Sequence, residues 1–264
     1  MNTYVKALGL VGAFALVTAL PACKEEPPSP AKAHLMAGDK HRVANEWKEA
    51  AEEYGKSLEA DPKQEKVWET KAYSHQQAGD TEGAVDTLMK WAATKTEPAE
   101  KAKLIRFGAD LWRQKPNFEK AEAVYLEALK VLPTDDESMA WIGEMHAQRG
   151  GARDMKAPAV PAELDKAYEY YEKIVAVKPD KPDAYFNMRV VLTKYMGHYK
   201  KQKEEAEVAL KVLEKDKEKD KDKLAAAQAN IDKAQKSIDE TTKKMEGIGA
   251  KLTELQKKNP PAAK

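Results

Sequence analysis

The chain has 264 residues, 34% of them charged and 7% aromatic, and Lys plus Arg (45) nearly balance Asp plus Glu (44). That balance leaves no basic excess to hold nucleic acid or an acidic partner. Gly and Pro are sparse and fall between periodic segments, the distribution of an all-helical protein.

Residues 1–22 read as a targeting segment. Lys6 supplies a positive flank, and Ala7–Leu20 supplies an apolar run of about 14 residues, short of the ~20 needed to span a bilayer. The run ends in Leu20-Pro21-Ala22-Cys23, which resembles the lipobox of bacterial lipoproteins. That resemblance implies cleavage before Cys23, a diacylglyceryl group on its thiol and an acyl chain such as palmitate on the new amino group. The implied attachment is an anchor, not a span. Lys24 stands where Asp favours retention in the inner membrane, so the implied location is the outer membrane, facing the periplasm. Cys23 is the sole cysteine, so the mature monomer holds no internal disulfide. Residues 23–30 are then the lipidated Cys and a Pro-rich tether, reaching roughly 20 Å if extended as polyproline II at ~3.1 Å per residue.

From residue 31 to 213 one template recurs. Ala50, Tyr54, Ser57 and Pro62 match Ala121, Tyr125, Ala128 and Pro133, and again Ala167, Tyr171, Ile174 and Pro179. Positions i, i+4 and i+7 share one helix face: the small residue lets a neighbouring helix approach, and the aromatic fills the space between. The Pro then stops the helix, lacking an N–H and clashing with the preceding turn. A second periodic segment precedes each copy, so the unit is helix, turn, helix. This pattern resembles the tetratricopeptide repeat. The resemblance implies an all-α, right-handed solenoid of about five repeats, a binding scaffold with its contacts on a concave groove formed by the first helices.

Repeat one spans Ala31–Gln64, with Gly38 at the close-approach position. Repeat two, Glu65–Pro98, carries Trp91 where a small residue is usual, and stops at Pro98 in place of Thr96. Repeat three runs from about Ala102 to Asp135. Repeat four begins at Asp136, and its second helix starts late, near Leu164. The excess, residues 150–162, is an insertion loop opened by Gly150-Gly151 and a candidate contact loop. Repeat five starts at Pro182-Asp183 but puts Arg189 where the others have Gly38, Ala72, Ala109 and Gly143, so it is degenerate or its helices splay. Its second helix is expected at Ala206, Leu210 and Leu213.

Residues 214–258 form a charged stretch followed by a heptad seam. Leu224, Ala227, Ile231, Ala234, Ile238, Thr241, Met245, Ile248, Leu252 and Leu255 alternate spacings of three and four. A long helix or coiled coil follows, either continuous with the last repeat or turned back as a hairpin. Residues 259–264 are a tail.

No nucleophile motif, phosphate loop or metal-binding pair is present, so the reading is non-enzymatic, without metal or cofactor. His41, His75 and His146 share one template position and read as packing residues. The outward positions of the first helices are the candidate partner-binding residues: Leu35, Asp39 and Arg42; Glu69, Tyr73 and Gln76; Arg106, Asp110 and Arg113; Ala140, Glu144 and Gln148; Phe186 and Val190. They combine a basic centre at Arg106 and Arg113 with an apolar end at Phe186 and Val190. The carboxylate clamp of chaperone-tail-binding repeat domains maps onto Leu35, Asp39, Thr70, Lys103 and Phe107, where only Lys103 fits. The favoured function is an outer-membrane lipoprotein adaptor that takes an envelope protein or peptide segment in its groove, in an assembly of the pilus, secretin, outer-membrane-assembly or motility type. The alternative is a structural envelope lipoprotein that self-associates through Leu224–Leu255.

Overall fold

The computed structural model describes residues 27–215 and 220–258. The targeting segment, Cys23 and the tail from residue 259 lie outside the described residues. Ten helices and no strand occur among those described: α1 Pro30–Val43, α2 Trp47–Ala60, α3 Glu65–Gln77, α4 Thr81–Thr94, α5 Pro98–Gln114, α6 Phe118–Val131, α7 Asp136–Arg149, α8 Pro161–Val177, α9 Pro182–Lys215 and α10 Lys221–Lys258. Each packs chiefly on its neighbours in the chain, the quasi-linear order of a stacked array. Among the described residues, no helix is long and apolar enough to cross a membrane.

The template residues make the stacking possible. Ala50, Tyr54, Ser57, Ala121, Tyr125, Ala128, Ala167, Tyr171 and Ile174 are all fully buried. Each of two rings lies against a glycine of the preceding helix: a Cβ at Gly38 would sit 2.7 Å from the Tyr54 ring, and one at Gly143 2.9 Å from the Tyr171 ring. The first helices of the four pairs also end alike. The N–H groups of Glu46, Asp80, Asn117 and Ala152 donate to the carbonyls of His41, His75, Trp112 and Ala147, the long bond of a Schellman turn. Asn45, Gly79 and Gly151 take the left-handed conformation this turn needs, with φ of 62°, 77° and 77°.

The three histidines of the shared position staple each turn shut. Nδ1 of His41 lies 2.6 Å from Glu46, that of His75 2.8 Å from Asp80, and that of His146 2.7 Å from Glu163. Each carboxylate sits at the start of the second helix, where the helix dipole also favours an anion. His146 is 1% exposed; its Nε2 meets Glu122 of the preceding pair at 3.1 Å, and its ring stacks on Tyr170.

The fifth repeat departs from expectation. Helix α9 runs unbroken from Pro182 to Lys215, so the turn expected before Ala206 is absent. Gly197 is the lone glycine of that helix, and no proline follows Pro182 within it. The partner of α9 is instead α10, which returns antiparallel to it. Lys203 donates to Gln235 at 2.8 Å partway along, and Met245, Ile248 and Leu252 join the cluster of Met188, Leu192 and Tyr195 closer to the repeats. Lys244 also reaches α8, 5.1 Å over the Tyr168 ring. Arg189 avoids the helix interface by pointing outward, 5.7 Å from the Phe186 ring centre. The body is therefore four helix pairs closed by a long hairpin.

The heptad seam is what closes it. Ala227, Ala234, Thr241, Ile248 and Leu255 are buried, and Leu224, Ile231, Ile238, Met245 and Leu252 are half-buried. Of the two arrangements open from the sequence, the hairpin is the one formed. The seam that the alternative reading gave to a second chain is occupied within its own.

Candidate partner-binding cleft

The first helices of the first three pairs, α1, α3 and α5, line a cleft of about 1140 Å³. Of the residues expected on this face, Leu35, Asp39, Arg42, Glu69, Tyr73, Gln76 and Asp110 line it. Thr70, Lys103 and Phe107, three of the positions tested for a carboxylate clamp, line it too. Tyr73 and Phe107 project into the opening, 47% and 45% exposed.

The floor was not legible from the template. It comes from α4, where Leu88 and Trp91 show between α3 and α5. Trp91 replaces the expected small residue and packs against the core clusters on both sides of it. Its indole Nε1 is buried without an acceptor. The departure from the repeat pattern at this position is the single sequence signal that pointed here.

Most charges of the cleft are already partnered. Asp39 accepts from the Tyr54 hydroxyl at 2.9 Å and lies 3.5 Å from Arg42. Asp110 accepts from the Tyr125 hydroxyl at 2.5 Å and lies 3.4 Å from Arg113. Burial, then the bond to Asp39, pushes the Tyr54 phenol up to about 12, so it stays a donor across the working pH range. Lys103 sits 5.8 Å over the Phe107 ring. What the cleft offers a partner is an aromatic and aliphatic trough with a mixed-charge rim.

The remaining expected residues are placed elsewhere. Arg106 does not present a basic centre: it bonds both oxygens of Asp135, at 2.8 and 3.0 Å, and pairs with Glu137 at 2.8 Å, with its side chain largely buried. Arg113 lies 3.8 Å over the Trp141 ring. Ala140 packs on the core, and Gln148 donates to Glu144 at 3.1 Å. Glu144 is held by Arg153 of the insertion loop, through Nε at 3.0 Å. Phe186 is exposed and Val190 half-buried on α9, apart from the cleft. An inter-repeat ion pair and an insertion thus took up side chains that helical position alone had assigned to the groove.

The insertion itself is pinned. Arg153 bonds Glu144 on α7 and Asn187 on α9, the latter at 2.9 Å. Lys194 of α9, 4% exposed, donates to the carbonyls of Asp154, at 2.7 Å, and Ala157.

Comparison with solved structures bears on the fold. A TPR-repeat protein of Bacteroides fragilis is 16% identical, covers 87% of this chain and 96% of its own, and superposes with a TM-score of 0.57. The fold is a tetratricopeptide-repeat solenoid. The MamA protein is also similar, at 17% identity over 89% of this chain and 98% of its own, with a TM-score of 0.41. YrrB, described as a TPR protein with an unusual peptide-binding site, is 18% identical over 62% of this chain and 76% of its own, with a TM-score of 0.38. No family model matches, and no curated protein matches.

Proposed function

We propose that this tetratricopeptide solenoid is a non-enzymatic adaptor that receives a segment of another protein in the cleft of α1, α3 and α5. The observation that carries the reading is the cleft itself: an open trough with Tyr73 and Phe107 projecting and Leu88, Trp91 and Leu104 beneath. Exposed aromatics over an apolar floor supply most of the contact energy where protein segments bind, and partnered rim charges set register more than affinity. On the same reading the chain is tethered through a lipidated Cys23 at the outer membrane and serves an envelope assembly of the pilus, secretin, outer-membrane-assembly or motility type. The lipobox-like Leu20-Pro21-Ala22-Cys23 supports that part.

A photo-crosslinking residue at Phe107, in cells producing the full lipoprotein, tests the binding site against a control at Val177, outside the cleft. One envelope protein crosslinked at Phe107 and absent at Val177 is the expected result. Equal labelling from both positions, or none from Phe107, removes the cleft from the account. Labelled palmitate that is incorporated by the natural chain and lost in Cys23→Ser tests the anchor separately.

A further inference from the structure

Beyond the repeats, the distal halves of α9 and α10 form a two-helix arm. The face of α9 turned to α10 carries Lys203, Ala206, Leu210 and Leu213, all half-buried. Two residues further on in each case, roughly 200° round the helix, lies a second stripe that the arm leaves uncovered: Glu205, Val208, Val212 and Lys215. Val208 is 56% exposed and Val212 64% exposed, in a segment otherwise rich in Lys and Glu.

The stripe is self-complementary. Its spacing of three, four and three is that of a heptad seam. Read backward, Lys-Val-Val-Glu presents the opposite charge at each end of the same apolar pair. Two copies laid antiparallel across a two-fold axis between Val208 and Val212 therefore match throughout. Val208 of one packs on Val212 of the other, and Glu205 meets Lys215 at both ends. Such an isologous contact needs no second surface to close. A parallel pairing would instead set Glu205 against Glu205 and Lys215 against Lys215. The stripe also runs into a groove of about 540 Å³ between α9 and the insertion loop, lined by Met155, Ala157, Pro158, Lys201 and Glu205, which leaves room beside Glu205 for an incoming helix end.

We infer that the arm binds a second copy of this chain through the outer face of α9, so that α9 of one hairpin meets α9 of the other. The stripe spans about 15 Å of helix, well below the area of a permanent dimer, so the association is weak in solution and strengthens when chains share a membrane surface. This inference is independent of what enters the cleft, and it uses a different face from the heptad seam already filled by α10.

Sedimentation equilibrium of the full lipid-free mature chain, over about 10 μM to 1 mM at low salt, tests it. The expected mass rises from monomer toward dimer with concentration. Glu205→Lys alone, or Lys215→Glu alone, sets like charges together at both ends and weakens association about tenfold or more. The double variant restores it. An equimolar mixture of the two single variants associates more tightly than either alone, because each end again pairs opposite charges. Both substitutions are on exposed sites, and unchanged helical circular dichroism confirms the fold. A monomer at every concentration overturns the proposal, as does a dimer that Glu205→Lys leaves unchanged.

Discussion

Arg153 supplies to Glu144 the cation that Arg42 and Arg113 supply to Asp39 and Asp110. In the first and third pairs the arginine lies three residues along the same helix as the carboxylate. In the fourth, that place is the buried Ala147, and the guanidinium arrives from the insertion loop instead. A buried tyrosine completes each group: Tyr54 on Asp39, Tyr125 on Asp110, and Tyr171, at 3.4 Å, on Glu144. The insertion thus repairs a gap in the repeat pattern. Arg153→Ala is expected to cost about 1 kcal/mol globally, given the partly exposed pair. Its larger effect is local: amide exchange across residues 152–160 should quicken about tenfold while that of α2 and α6 stays unchanged.

Glycines here divide by what faces them. An alanine at Gly143 would press on the Tyr171 ring, and one at Gly38 on the Tyr54 ring, so each change should destabilise by about 1–3 kcal/mol. Gly197 and Gly249 face open space inside helices, and alanine there should stabilise by up to about 1 kcal/mol. Urea titrations of the four variants read both signs.

Acid should loosen the array at its joints. Burial raises the Asp136 carboxyl, but the ammonium groups of Lys178, at 2.6 Å, and Lys181 outweigh it, and the net pKa falls below the usual 3.8. Glu163 is likewise lowered, burial being outweighed by His146 and Arg149. Asp80 is lowered chiefly by the Gly83 N–H, with His75 assisting against burial. A carboxylate whose folded pKa is depressed contributes stability above its unfolded value and loses it as pH falls through the folded one. Melting temperature should therefore hold through neutral pH and drop below about pH 4. Asp136→Asn should start lower and show a shallower drop.

The closing hairpin is structural, and removing it should be costly. Ile248 is buried among Met188, Leu192 and Tyr195, so Ile248→Ala should cost about 2–5 kcal/mol. A chain ending at Leu213 would leave that cluster open to water. It should bind a hydrophobic dye and aggregate, measured beside Ile248→Ala, which should not.

Cleft residues should separate binding from stability. Phe107 and Tyr73 are about half exposed, so replacing both with Ala should change the urea midpoint little. The same double variant should lose capture of the crosslinked partner. Retained capture would place the contact surface elsewhere on the array.

The repeat was legible in the sequence because a single physical rule, small residue and aromatic at helical spacing before a proline, recurs with nearly fixed period. That rule fixed which residues are buried, and Ala121, Tyr125 and Ala128 sit at zero exposure. It also gave the outward positions of α1 and α3, because one helix face determines the other. Three things needed the tertiary structure. Whether a heptad seam meets its own chain or another depends on where the helix before it points, and an unbroken α9 sends α10 back along itself. Whether Arg106 faces solvent depends on Asp135, 29 residues away, reaching it across a repeat boundary. The floor of the cleft depends on Trp91 filling a gap between two neighbouring helices. Local periodicity assigns faces; long-range contacts decide which faces remain free, because burial is settled by what arrives from elsewhere in the chain.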